Sequence, residues 1–210
     1  MNTWTQLLGT LALVFGCACA TTSTPKPVLR GWDEPEGELI LEDGQQIAGR
    51  LVARDIVIPS GTLVIAVEDV QLLAVRSIRI NGALRATSRS AGDPDPNAPL
   101  LELEAGEILT LTGSVEGGDG WLPNGKGSSL RLSAPDLLVA GDLIGGQGRL
   151  GGSVRIFGEP LSEHDLDPAE LEDLMSASRV VAGEGGKVLF GLPPSSSPLR
   201  PIHPPLRAEQ

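Results

Sequence analysis

The sequence predicts an all-β fold, a solenoid of short strands wound about a continuous aliphatic core. Three observations carry that prediction. The 210 residues include 27 glycines and 17 prolines, with only 3% aromatic residues and no tyrosine. That composition suits tight corners and small core side chains, and suits long helices poorly. Apolar and polar residues alternate at period two, the strand period. One pattern then returns at an interval of roughly thirty residues, the mark of a repeat whose units bury their apolar sides against one another.

Taken in chain order, residues 1–20 read as an address. Leu7 to Gly16 is an apolar run too short to span a bilayer as a helix but of the length of a secretory core segment. It ends in Val14-Phe15-Gly16-Cys17, and both cysteines of the chain, Cys17 and Cys19, lie here. The stretch resembles a bacterial lipoprotein signal peptide, which implies Cys17 as the lipidated (palmitate-bearing) new N-terminus and the membrane as a partner through that anchor. Phe15 is bulkier than that pattern usually has, and the leading MNTWTQ carries no lysine or arginine. A rival site, Ala18-Cys19-Ala20, would give a secreted or periplasmic soluble chain instead. Beyond Cys19 there is no cysteine, so the body is expected to hold no disulfide. Residues 21–36, opening TTSTPKP, read as an extended tether.

Residues 37–190 carry the repeat: apolar-x-apolar-x-Ala, a gap, then apolar-x-apolar-x-Gly-x-apolar. It reads Val70, Leu72, Ala74, then Ile78, Ile80, Gly82, Leu84. It returns as Leu101, Leu103, Ala105, then Leu109, Leu111, Gly113, Val115, and again as Leu130, Leu132, Ala134, then Leu137, Val139, Gly141, Leu143. A worn copy upstream fits as Leu39, Leu41, Asp43, then Ile47, Gly49, Leu51, and Ile56 to Ile65 reads as a shorter unit around a Pro59-Ser60-Gly61-Thr62 corner. Stacking the copies sets Glu102 beside Arg131 and Arg85 beside Glu116, two pairs of opposite charge on neighbouring strands. An antiparallel sandwich is the rival architecture, and the near-constant interval favours the solenoid.

The I-P-x-G-T-L corner at Ile58 to Leu63 and the Ala…Gly-x-apolar rhythm resemble right-handed parallel β-helix proteins, the pectin-lyase-like group. The resemblance implies a small β-helix of about five or six coils with one short helical insertion. It says little about activity, because that architecture carries lyases, hydrolases, adhesins and inert spacers.

Three long loops, Arg85 to Pro99, Glu116 to Ser129 and Ile144 to Ser153, follow the same point of the repeat and are expected to emerge on one side, where any functional face would lie. On them Asp93, Asp95 and Asn97 place oxygen donors at alternate positions, as calcium loops do. They lack the glycine and distal glutamate of an EF-hand, so an extended turn is the simpler reading. Gly120 to Lys126 has the spacing of a phosphate loop, but Gly127 replaces the magnesium-holding hydroxyl. With Asp119, Trp121 and Lys126, these residues form a speculative ligand loop; Trp121 would stack on a sugar ring or cover its own coil. One helix is expected over about 167–178, with Asp167 as N-cap, Pro168 first and Glu170 completing a capping box, covering a flank or an open end of the stack. Val180-Val181 and Lys187 to Phe190 read as final strands. Residues 191–210 hold six of the prolines and read as a disordered tail.

The formal net charge of −11 argues against nucleic acid, whose binders need a basic footprint. No catalytic set, metal site or cofactor motif emerges. The expectation is a lipid-anchored protein of the bacterial cell envelope, at the outer membrane, whose β-helix is a structural or interaction module rather than an enzyme. The alternative is a protein that binds or acts on envelope polysaccharide.

Overall fold

The computed structural model describes residues 27–160 and 179–191. The signal, the helix expected over 167–178 and the tail from 192 onward lie outside the described residues. What is described is all-β. Twelve strands follow one another: β1 (Leu29–Ile40), β2 (Gln46–Ile58), β3 (Leu63–Ile80), β4 (Ala83–Ala86), β5 (Leu101–Ala105), β6 (Ile108–Leu111), β7 (Ser114–Glu116), β8 (Leu130–Val139), β9 (Asp142–Ile144), β10 (Val154–Pro160), β11 (Val180–Val181) and β12 (Val188–Gly191). No helix occurs among the described residues, so none there is long and apolar enough to cross a membrane.

Every strand pairing is parallel. The expected antiparallel rival is thereby overturned: a sandwich of hairpins pairs its neighbours antiparallel. Four strands close into a parallel ring, β3 with β5, β5 with β8, β8 with β6, and β6 back to β3. The ring closes because β3 and β8 are long and turn a corner. The Val70–Ala74 part of β3 meets β5 while its Ser77–Ile80 part meets β6. The other strands add to this ring above and below, and β1, β11 and β12 are outermost.

The register converts the sequence repeat into columns. Trp32, Leu51, Leu72, Leu103, Leu132, Ile156 and Phe190 are successive paired residues. So are Ile56, Ile78 and Leu109, and so are Leu84, Val115 and Leu143. Their aliphatic members lie in one hydrophobic core that runs from Leu39 to Ile156. Because side chains alternate across a strand, the intervening residues face outward, and there the two expected charge pairs form. Arg85 meets Glu116 at 2.7 Å and Arg131 meets Glu102 at 3.7 Å. Where backbones approach, only glycine fits: a Cβ on Gly113 would strike the Gly82 carbonyl, and one on Gly141 the Gly113 carbonyl.

Two readings need correction. The worn copy is out of phase: Leu51 and Ala53 pair with Leu72 and Ala74, whereas Leu39 pairs with Ile56. The Leu51-x-Ala53 unit is followed after only a short corner by Ile56 and Ile58, which pair with Ile78 and Ile80. A thirty-residue interval does not reach it, because no long loop lengthens this part of the chain. In addition, β1 begins at Leu29, so residues 29–36 are strand rather than tether.

Candidate functional site

The three long loops do gather on one side, and they are built as further layers of hydrogen bonds. The backbone continues the parallel order through them: Arg89 N–H donates to the Asp119 carbonyl (2.7 Å), Gly120 N–H to the Gln147 carbonyl (2.7 Å), and Ala98 N–H to the Lys126 carbonyl (2.9 Å). Side chains reinforce it. Asp119 N–H donates to Ser88 Oγ (2.9 Å), Gln147 N–H to Asp119 Oδ1 (2.7 Å), and Glu184 N–H to Gln147 Oε1 (2.8 Å). Each loop thus hands a side-chain oxygen to the backbone of the next. A backbone group left unpaired away from water would be costly, and this ladder supplies the missing partners.

The speculative ligand residues are largely spent on this architecture. Asp93 Oδ2 accepts from Ser90 N–H (2.6 Å) and closes its own turn. Asp95 Oδ1 accepts from the N–H and the Nδ2 of Asn97, both at 2.9 Å. Asn97 Oδ1 accepts from Lys126 N–H at 3.0 Å. The three oxygen donors therefore turn toward separate internal partners, and no group of three metal-ligating side chains exists among the described residues. The Trp121 backbone N–H donates to the Pro96 carbonyl (2.9 Å), and the residue stays 38% exposed beside exposed Leu122. Lys126 is exposed, and no helix follows it. The structure brings Asp119, Asn97 and Lys126 into one ladder but not into one cavity.

The cavity lies elsewhere, on the outward face of β2, β3, β5 and β8. It is a groove of about 290 Å³ bordered by Arg50, Gln71, Leu73, Glu102, Glu104, Arg131 and Ser133, with Leu103 also at its wall. Arg50, Gln71, Glu102 and Arg131 form one outward column; Leu73, Glu104 and Ser133 form the next. Glu102 is engaged, accepting from Gln71 Nε2 (2.7 Å) and facing Arg131. The Arg131 guanidinium also lies over the Phe157 ring, 5.6 Å from its centroid, within the range of a cation–π contact. Sequence reasoning reached Glu102 and Arg131 as a charge pair but not Arg50, Gln71 and Leu73 beside them. The misplaced phase of the first copy hid Arg50, which belongs to the column of Gln71.

A second polar cluster escaped the sequence altogether. Asp55 is only 1% exposed. Its carboxylate receives Arg76 through Nε (2.8 Å) and Nη2 (2.7 Å), Ser77 Oγ (2.6 Å) and Arg54 Nε (3.0 Å). The Arg76 hydrogen bonds outweigh desolvation, and with help from Ser77 and Arg54 they hold the carboxyl far below the usual carboxylate range. Asp55 sits at a register shift of β2, opposite Ser77. The cluster is a corner brace, since both carboxylate oxygens are occupied by hydrogen bonds from the chain itself. A lone acid between apolar runs, LVARDIVI, was its only sequence signal.

Comparison with protein-family models, curated proteins and solved structures gave no match.

Proposed function

We propose that this chain is a lipid-anchored envelope protein whose body, a small right-handed parallel β-helix of about five or six coils, serves as a rigid structural or interaction module to which no reaction is assigned. The winding is supported by the all-parallel pairing and by β3 and β8 turning corners within single strands. One observation carries the functional reading. The loop oxygens best suited to hold a ligand, those of Asp93, Asp95, Asn97 and Asp119, accept hydrogen bonds from the chain itself. A face whose side-chain oxygens are engaged by the chain's own backbone is built for shape and stiffness.

The groove between Arg50 and Ser133 favours the second reading, binding of or action on envelope polysaccharide, because it offers Gln71, Glu104 and Ser133 beside cationic side chains. Thermal unfolding with calcium and with a panel of acidic and neutral oligosaccharides separates the two. The module reading expects no change in Tm with either. A saturable rise of several degrees with a sugar, lost in Arg50→Ala, would establish the second reading instead. The anchor rests on the Val14 to Cys17 sequence and is tested by mass spectrometry of the mature N-terminus. Acylated Cys17 is expected, whereas a free Thr21 would mean plain secretion.

A further inference from the structure

The sheet ends in two edges that differ in kind. Among the described residues β1 pairs only with β2; at the other end β12 pairs only with β10, and β11 only with β9. The inward column that starts at Trp32 finishes at Phe190, and its aliphatic members are at most 4% exposed. Phe190 continues that column yet is 72% exposed. Trp32 is half-buried against the core, and its indole Nε1 is buried without a hydrogen-bond partner. The ends also differ in charge. Leu29–Ile40 carries four acidic side chains and one basic, whereas residues 179–191 carry two basic and one acidic.

We propose that copies of this chain stack end to end, the β12 edge of one seating on the β1 edge of the next, so that Phe190 meets Trp32. Strand direction permits it. Every pairing is parallel, so a copy displaced along the column offers β1 to β12 in the orientation in which β1 already meets β2. The acidic first strand then faces the more basic last layer. A two-fold dimer through β12 would require antiparallel pairing, whereas every strand pairing among the described residues is parallel. Because the two contacting surfaces differ, the contact is heterologous and open-ended, giving chains of copies rather than closed pairs. The proposal goes beyond the module reading, and a strictly monomeric protein would leave that reading standing.

Disulfide trapping tests it in the full chain carrying Cys19→Ser. Asp33→Cys and Gly191→Cys put thiols at the two ends of the outward column through Val52, Leu73 and Phe157, where neighbouring-strand spacing falls within disulfide range. Relative to the Cys19→Ser parent, the double variant is expected to give a ladder of dimers, trimers and higher species on a non-reducing gel. The two single variants mixed should give dimer and stop there, and either alone should match the parent. Phe190→Glu added to the double variant should lower the trapped fraction at least tenfold while leaving Tm unchanged. The proposal is overturned by the absence of any ladder across the concentration range. Dimer from Gly191→Cys alone, or indifference to Phe190→Glu, overturns it equally.

Discussion

Between Ala53 and Ile56 a single carboxylate ties two arginines and a serine to a corner of the sheet. Asp55 is buried, but Arg76 and Arg54 have side chains 48% and 51% exposed, so removing the anion returns them to water rather than stranding them. Asp55→Asn keeps the shape and the Ser77 contact and loses the charge-assisted bonds. A loss of about 2 kcal/mol in urea unfolding is expected, in the range for hydrogen bonds to a charged group and short of the cost of breaking a fully buried pair. The pH dependence has a definite sign. The folded carboxyl titrates below its unfolded value of about 4, so its stabilisation is complete above that pH and is lost as pH falls. Stability measured from pH 5 down to pH 2 should fall less steeply in Asp55→Asn than in the wild-type chain; parallel curves would refute the brace.

At the scale of the element, the columns were legible and the layers that lack the repeat were not. Period-two alternation and the Ala74, Ala105 landmarks set the pairing of β3 with β5, and outward charges marked the pairing of β5 with β8 at Glu102–Arg131 and of β4 with β7 at Arg85–Glu116. β2 escaped because the interval is made partly of loop: where the loop is missing, the landmark Ala53 arrives early. The loop ladder escaped for a different reason, since Ser88, Asp119 and Gln147 share no residue type and declare their role only through the backbone they meet. The groove was half legible for the same cause as β2. Glycine is the clearest sequence mark of contact between elements. At Gly113 an added Cβ meets the Gly82 carbonyl, whereas at Gly44 nothing stands near and only the positive φ of 69° resists a side chain. Gly44→Ala should therefore cost about 1 kcal/mol, the expense of a left-handed conformation. Gly113→Ala must move two strands apart and should cost more than 3 kcal/mol or abolish folding, in the class of severe overpacking. Circular dichroism melts of the two variants decide it, and equal losses would mean the strands are not held at that spacing.

For the whole molecule, the arrangement makes stability a matter of position along the column. In the proposed winding each layer meets only the layers before and after it, so a central strand opens only when bonds on both sides break, and an outer strand only on one. Among the described residues β3 bonds to β2 on one side and to β4, β5 and β6 on the other, whereas β12 has β10 alone. Native-state hydrogen exchange should accordingly show β3, β5 and β8 as the slowest amides, with β11 and β12 faster by about 100-fold or more, a difference of roughly 3 kcal/mol in opening free energy. Uniform protection would mean a single cooperative unit and would remove the layered account. Concentration then links this gradient to the ends of the molecule. If Phe190 seats on Trp32 of another copy, the outer amides of β12 and β1 acquire partners on their open side while those of β5 and β8 gain nothing. Raising the protein concentration should slow exchange at the two edges together and leave the middle unchanged. Slowing at β12 without β1 would point to pairing of like ends, because only a head-to-tail contact must protect both.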